Sequence, residues 1–190
     1  MLEELAKLLL NFTSDLGYIG IYIYMTIVGS FIPLPSQVVL IPAGYLASKG
    51  DMNFFAIWIS ATLGSTTGAT INYFLANKLL RGIMKNKKEL ILKIEHFFEK
   101  HAKISLFLAP LTIGAGQYIS IPAGLGKTPL TIFWTITFLG NLIFNFLMIL
   151  IGFAFNPDEA NQKAIYVTIA LLAFVVISAT IYIYREIKKS

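Results

Sequence analysis

The side chains that could do chemistry in this sequence are polar but uncharged, and they lie within long apolar runs. They form three groups: Ser36 and Gln37; Thr112, Gln117, Tyr118 and Ser120; and Thr66, Thr67, Asn72, Asn141 and Asn145. Hydroxyl and amide groups inside a membrane need hydrogen-bond partners and can hold helices together. The sequence leaves two roles open for them, which are helix–helix contact and the lining of a neutral polar groove.

The chemistry of charged side chains, thiols and metals is not expected here. The chain has no cysteine, and no Asp, Glu, Lys or Arg occurs in the runs 16–48, 52–77, 104–126, 128–157 and 164–184. The two histidines, His96 and His101, are five residues apart, whereas two ligands on one helical face are four apart. The sequence contains no P-loop, dinucleotide-binding glycine motif or nucleophile elbow. We therefore expect no catalytic residue, cofactor or metal ion, and a protein that is not an enzyme.

The elements that must position the polar groups are membrane helices. The chain of 190 residues is 56% hydrophobic and 13% charged, whereas charged residues make up about a quarter of a soluble domain. Uncharged runs of this length predict an all-α polytopic membrane protein with one membrane domain over residues 1–190. The net charge of +5 could suggest nucleic acid, but its placement along the chain fits membrane topology better.

Two of the apolar runs contain residues that interrupt helices. Residues 31–44 read Phe-Ile-Pro-Leu-Pro-Ser-Gln-Val-Val-Leu-Ile-Pro-Ala-Gly, and the prolines exclude one continuous helix. One membrane span needs ~20 residues, and two spans with a turn need more than ~40. The run 16–48 is therefore too long for one span and too short for two. It predicts a span over about Leu16–Phe31 and then a re-entrant hairpin buried in protein. Residues 104–126, with two prolines and several glycines, predict a second re-entrant hairpin.

The remaining segments complete a single bundle. Residues 1–15 predict an amphipathic N-terminal helix, and residues 16–77 hold the first span, the first hairpin and a span over about Phe54–Asn77. Residues 78–103 predict a basic amphipathic helix at the membrane surface, with apolar residues on one face and Lys85, Lys87, Lys88 and Lys93 in contact with anionic headgroups. Residues 104–155 hold the second hairpin and a span over about Phe133–Phe155. Residues 164–190 predict a C-terminal span and a basic tail.

The positive charges predict the orientation of the chain. If both hairpins return to their own side, thirteen of the 15 Lys and Arg residues lie on one face of the membrane, and Lys49 and Lys163 lie on the other. By the positive-inside rule, both termini are then cytoplasmic. We expect an integral protein of the plasma membrane.

The two halves of the chain contain the same short sequence motifs in the same order. Ile41-Pro42-Ala43-Gly44 recurs as Ile121-Pro122-Ala123-Gly124, and each is followed by one of the two tryptophans, Trp58 and Trp134, and then by a glycine six residues later. In the topology above, the first hairpin opens outward and the second inward. The sequence therefore predicts an inverted repeat, which is common in transporters.

These motifs together resemble those of the DedA family, also called the SNARE-associated or VTT domain. The stretch Pro33-Leu34-Pro35-Ser36-Gln37 is similar to the family's Pro-x-Pro-Ser/Gly-Glu motif. Gly64-x-x-x-Gly68-Ala69-x-x-x-Tyr73 is similar to its Gly-x-x-x-Gly-Asp-x-x-x-Tyr helix. Ser120-Ile121-Pro122-Ala123-Gly124 is similar to the end of its second hairpin. The resemblance spans about residues 20–155.

The resemblance implies a protein that moves phospholipids or polyprenyl-phosphate lipids between leaflets, with membrane lipids as partners and a homo-oligomer as a further expectation. It implies a substrate path along Pro33, Pro35, Ser36, Gln37, Gly68, Tyr73, Gly116, Gln117, Ser120, Pro122, Gly124, Asn141 and Asn145. The family's acidic residues fall on Gln37 and Ala69 here, and its arginines on Pro110 and Gly116. Because a proton carrier is then missing from the path, an uncoupled scramblase is expected. A scaffold without transport and a proton-coupled transporter are the alternatives.

Overall fold

The computed structural model describes residues 17–32, 34–83, 88–111 and 116–155, together with five helical residues between 163 and 177. These ranges are helical and contain no strand. The predicted N-terminal amphipathic helix and most of the predicted C-terminal span lie outside them. The helices are α1 (Gly17–Gly29), α2 (Gln37–Lys49), α3 (Phe54–Leu75), α4 (Arg81–Ile83), α5 (Lys88–Leu108), α6 (Ser120–Leu125) and α7 (Leu130–Ala154).

Short irregular turns connect several of these helices. A π-helical turn over Ala76–Leu80 extends α3. The 3-10 turns Ala109–Leu111 and Gly116–Tyr118 lie between α5 and α6. Within the described ranges, the segments Phe54–Lys78 and Leu130–Ala154 are long and apolar enough to cross a membrane. The predicted helical class is confirmed to that extent.

The helical structure of the apolar run 16–48 is interrupted between α1 and α2, as predicted. Pro42, however, does not interrupt a helix. α2 begins at Gln37 and continues through Pro42 to Lys49. Proline in a helix leaves the carbonyl four residues earlier without its usual donor. The loss is tolerated because Val39, Leu40 and Ile41 are buried on the same short helix.

α5 differs from the prediction at its C-terminal end. The boundary between the amphipathic helix and the second hairpin was expected near residue 103, yet α5 continues to Leu108. No glycine or proline lies within α5 before Pro110. The helical conformation is disfavoured for the residue that precedes a proline. The helix therefore ends just before Ala109, and the second interruption begins five residues later than expected.

Both Ile-Pro-Ala-Gly helices end in the same way. After α2, the N–H groups of Gly50 and Asp51 donate to the carbonyls of Ala47 and Leu46. After α6, the N–H groups of Lys127 and Thr128 donate to Gly124 and Ala123. Each pair is a Schellman motif, and its left-handed residue is Gly50 (φ 85°) in one and Lys127 (φ 51°) in the other. The Ile-Pro-Ala-Gly motif is therefore followed by the same local structure in both halves.

α3 and α7 form an antiparallel pair with a hydrophobic core at each end. The first core joins α1 and α2 to the start of α3 and the end of α7; its fully buried members include Ile21, Leu40, Ile57 and Ile149. The second joins α5 and α6 to the end of α3 and the start of α7, and includes Tyr73, Leu106, Ala123 and Phe133. The N–H of the Trp58 indole donates to the Leu142 carbonyl (2.7 Å) and links the start of α3 to the middle of α7.

Glycines allow the helices to approach at backbone distance. A Cβ on Gly44 of α2 would overlap the Ile149 carbonyl oxygen of α7, and a Cβ on Gly152 would overlap the Ile41 carbonyl oxygen. In the other half, a Cβ on Gly124 of α6 would overlap the Tyr73 carbonyl oxygen of α3. Small residues are the usual means of close helix contact in membranes. The short helices α2 and α6 are thereby held against the two long ones.

Candidate functional site

A cavity of about 310 Å³ lies between the two cores, where both interrupted segments meet the long helices. Its size is at the lower end of small-molecule pockets. Six parts of the chain line it: α1, the α1–α2 connection, the first residue of α2, α3, the α5–α6 connection and α7. The lining residues are Met25, Val28, Gly29, Leu34, Pro35, Ser36, Gln37, Ser65, Ala69, Pro110, Gly116, Ile119, Thr137, Asn141, Phe144 and Asn145.

Among the described residues, the amides of this cavity make long hydrogen bonds to neighbouring side chains. The Asn145 amide donates to Thr62 and Ser65 hydroxyls at 3.4 Å each, and the Asn141 amide donates to the Thr66 hydroxyl at 3.3 Å. The Ser36 hydroxyl lies 3.5 Å from the Gln37 side-chain oxygen. Good hydrogen bonds of these types are about 2.7–3.2 Å long. The amides of Asn141 and Asn145 and the hydroxyl of Ser36 therefore retain much of their capacity to bind a ligand.

The hydroxyls of α3 show what well-formed bonds look like in the same structure. Those of Ser65, Thr66, Thr67 and Thr70 each donate to the carbonyl four residues earlier, over 2.6–2.8 Å. Such back-bonding is the usual solution for a hydroxyl in a helix. The long contacts of the cavity thus differ from those of the surrounding helices.

Thr137 on α7 is a lining residue that the sequence did not single out. It is 3% exposed, and its hydroxyl has no hydrogen-bond partner among the described residues. Buried polar groups are nearly always hydrogen-bonded, so such a group needs an explanation. The signal that could have identified it is spacing, because Thr137, Asn141 and Asn145 follow each other at four-residue intervals on one face of a helix.

Six of the residues predicted to form the substrate path line the cavity: Pro35, Ser36, Gln37, Gly116, Asn141 and Asn145. All four positions at which the resemblance would place a charge, which are Gln37, Ala69, Pro110 and Gly116, also lie there. The cavity therefore brings together parts of the chain that are more than 100 residues apart. Pro33 and the side chain of Gln117 lie outside the described residues.

The other predicted path residues lie at helix contacts near the cavity. A Cβ on Gly68 would overlap the Thr26 carbonyl oxygen of α1. The Tyr73 hydroxyl donates to the Thr128 carbonyl (2.6 Å), and its ring stacks on Phe133 with centroids 4.6 Å apart. Ser120 and Gly124 are buried within α6, and Pro122 is half-buried there. Their observed contacts are structural.

α5 presents two apolar faces, although the sequence suggested one. Ile91, Phe98 and Ala102 are buried against the bundle, whereas Leu90 and Phe97 are exposed at 45% and 48%. The predicted headgroup contacts Lys88 and Lys93 are exposed on this helix, with Lys93 paired to Glu89 at 2.7 Å. Lys85 and Lys87 lie outside the described residues. The exposed face combines apolar and basic side chains, as in helices that lie on a membrane surface.

No group of three or more His, Cys, Asp and Glu side chains in the described ranges is arranged to hold a metal ion. The described residues that line the cavity offer neutral hydrogen-bonding groups.

Comparison with known proteins agrees with the geometry. The VTT domain family profile matches residues 32–154, a range that includes both interrupted segments and both long helices. Ten curated proteins match the sequence significantly. No solved structure matches it.

Three of the relatives show the range of names among these proteins. A Lactococcus lactis protein named "Alkaline phosphatase-like protein" is 30% identical, over 80% of this chain and 77% of its own. The Bacillus subtilis "Undecaprenyl phosphate transporter A" is 29% identical, over 95% and 93%. The Staphylococcus aureus protein of the same name is 25% identical, over 93% of both chains.

Proposed function

Because this chain belongs to the VTT domain family, which is the DedA family of membrane proteins, we propose that it moves lipid headgroups between the two leaflets of a membrane, without coupling to an ion gradient. The substrate class implied by the resemblance is a phospholipid or a polyprenyl-phosphate lipid. The names of the two undecaprenyl phosphate transporters point in the same direction.

The observation that carries this proposal is the cavity between the two interrupted segments. Lipid translocation requires a polar passage for the headgroup through an apolar slab, because an unpaired polar group in hydrocarbon costs several kcal/mol. The cavity supplies hydroxyl and amide groups with unused hydrogen-bonding capacity, from Ser36 and Gln37 on one side to Asn141 and Asn145 on the other.

An inverted repeat is part of the proposal, and equivalent contacts in the two halves support it. Counted from Trp58 and Trp134, Tyr73 is equivalent to Ile149. Gly44 approaches the carbonyl of Ile149, and its equivalent Gly124 approaches the carbonyl of Tyr73. Each short helix therefore contacts the long helix of the opposite half at the same position, as expected for two halves related by a pseudo-two-fold axis.

Residues at equivalent positions of the two halves also line the cavity. Ser65 and Ala69 on α3 are equivalent to Asn141 and Asn145 on α7 by the same count, and all four line the cavity. Ligand sites of inverted-repeat transporters lie at the interface between the repeats. We infer that the interrupted segments are re-entrant hairpins whose tips bound this site.

The absence of coupling follows from the residues of the path. A proton-coupled transporter needs a group in its path that gains and loses a proton, most often a carboxylate or a histidine. The described lining residues are all uncharged, and the resemblance places the family's acidic residues on Gln37 and Ala69. A purely structural scaffold would not need the polar cavity, so the cavity favours transport over that alternative.

Reconstitution in liposomes tests the function directly. Fluorescent lipids in the inner leaflet should become accessible to a membrane-impermeant quencher faster in protein-containing vesicles than in empty ones. If the labels stay protected at the rate of empty vesicles, the proposed function is wrong. If they become accessible, a proton gradient across the vesicle should leave the rate unchanged. A rate that follows the gradient would replace the uncoupled mechanism by a coupled one.

The variant Gln37→Glu sharpens this comparison. It places a titratable carboxylate in the cavity, so its translocation rate should vary with pH while that of the unmodified chain does not. Lys49→Gln, on the exposed end of α2, is the matched control because it changes one charge on the same helix outside the cavity.

A further inference from the structure

We propose that the cavity accepts a headgroup that carries hydroxyl or carbonyl groups and no net charge, and disfavours a phosphomonoester. This inference rests on the proposed function and narrows its substrate to zwitterionic phospholipids and neutral hydroxylated lipids such as glycosyl-diacylglycerols. It goes against the substrate suggested by the names of the two undecaprenyl phosphate transporters.

The first argument is the charge of the site. Each residue that lines the cavity is uncharged. The stretch 112–115, which connects the two 3-10 turns, reads Thr-Ile-Gly-Ala and contributes no charge from sequence. A buried ion without a partner of opposite charge is strongly unfavourable. A phosphate dianion would enter this cavity without the arginine or lysine that normally binds it.

The second argument is the hydrogen-bonding capacity that the site does offer. The amides of Asn141 and Asn145 make only long contacts to hydroxyls of α3, at 3.3–3.4 Å. The Thr137 hydroxyl, on the same face of α7, has no partner among the residues that the structure describes. Amides and hydroxyls both donate and accept hydrogen bonds. They suit sugar or glycerol hydroxyls, which also donate and accept, and ester carbonyls, which accept.

The third argument is size. A cavity of about 310 Å³ corresponds to roughly ten water molecules at their share of liquid volume. This volume suits one small headgroup, and the acyl chains would remain in the surrounding lipid. Exposed apolar side chains on the outer faces of α3 and α7, including Leu63, Ile71, Leu139 and Ile143, provide a surface for those chains.

The test compares three lipids with the same fluorescent acyl chain in one reconstituted preparation: a monohexosyl lipid, phosphatidylcholine and phosphatidate. The monohexosyl lipid and phosphatidylcholine should cross at least about tenfold faster than phosphatidate, because burial of an unpaired charge raises the barrier. Equal rates, or faster movement of phosphatidate, would refute the inference and leave the proposed function intact. If none of the three moves faster than in empty vesicles, both this inference and the transport of phospholipids by the proposed function are wrong.

Two pairs of variants connect the selectivity to this cavity. Asn141→Lys places a cation among the lining residues and should raise the rate of phosphatidate relative to phosphatidylcholine. Thr131→Lys, exposed in the first turn of α7, should not change that ratio. Thr137→Val keeps the shape of the side chain and removes its hydroxyl, so it should slow the monohexosyl lipid several-fold. Thr135→Val, at an exposed position of the same helix, should leave the rate of the monohexosyl lipid unchanged. An unchanged ratio in Asn141→Lys, with a protein that still elutes as a folded species, would show that selectivity arises elsewhere.

Discussion

At the scale of single residues, the cavity combines polarity with incomplete hydrogen bonding. Hydroxyls of α3 form short bonds to their own helix, whereas Thr137 on α7 is buried without a partner among the described residues. An unsatisfied buried hydroxyl destabilises a protein by about 1–3 kcal/mol. Such a cost is typical of functional sites, where stability is given up for binding.

Thr137→Val is therefore expected to stabilise the protein in detergent while it slows translocation. Valine has nearly the same shape and no hydroxyl, so the free energy of unfolding should rise by about 1 kcal/mol or more. Thermal unfolding followed by circular dichroism measures the change. Thr135→Val, at an exposed position, should leave the midpoint nearly unchanged. A lower midpoint for Thr137→Val would indicate that the hydroxyl has a stabilising partner.

At the scale of the helices, backbone contact at glycines holds α2 and α6 against α7 and α3. These contacts lie at equivalent positions of the two halves, Gly44 at Ile149 and Gly124 at Tyr73. Because the obstructing atoms are backbone carbonyls, a side chain at either glycine cannot be accommodated by a change of rotamer. The helices themselves must move apart.

Gly44→Ala and Gly124→Ala should each destabilise the protein by about 1–3 kcal/mol, the usual cost of overpacking. Denaturation in mixed micelles measures both. The control is Gly82→Ala on α4, where an added Cβ meets nothing within 4 Å, and alanine there should be neutral or slightly stabilising. A loss of stability in only one of the two variants, Gly44→Ala or Gly124→Ala, would argue against structural equivalence of the two halves.

The exposed face of α5 yields a prediction of its own. The chain has no cysteine, so a single cysteine can carry a polarity-sensitive dye without background labelling. A dye at Phe97→Cys should report a more apolar environment in anionic than in neutral bilayers, since each basic residue near an anionic surface contributes about 1 kcal/mol. A dye at Glu99→Cys should respond less, because Glu99 is a charged, exposed position. Equal spectra for Phe97→Cys in both bilayers would exclude an electrostatic contact.

At the scale of the whole molecule, the distribution of basic residues determines the proposed orientation. α2 ends at Lys49, one of two basic residues proposed to lie outside, and α5 carries several of those proposed to lie inside. Both termini are then cytoplasmic, and the plasma membrane is the proposed location. Self-association of the chain also remains a prediction.

Single-cysteine labelling in intact bacterial cells tests this orientation. Asp51→Cys, in the exposed α2–α3 turn, should react with a membrane-impermeant maleimide. Lys100→Cys, on the exposed face of α5, should react only after the cells are made permeable. The reverse pattern would contradict this orientation, and labelling of both positions in intact cells would mean that α3 does not cross the membrane.

The sequence by itself determined the class of protein and the outline of its helices. Run length and the positions of proline and glycine are local properties, so they predicted the span that begins at Phe54 and the break before Gln37. The polar side chains within the apolar runs and the family resemblance together predicted six of the residues that line the cavity.

The tertiary structure decided which polar groups face one another. Sequence spacing shows that Thr137, Asn141 and Asn145 share a face of α7, but the side of the helix that meets α3 depends on packing at both ends. That packing turns Ser65 and Thr137 into the cavity and assigns Gly68, Tyr73 and Gly124 to helix contacts.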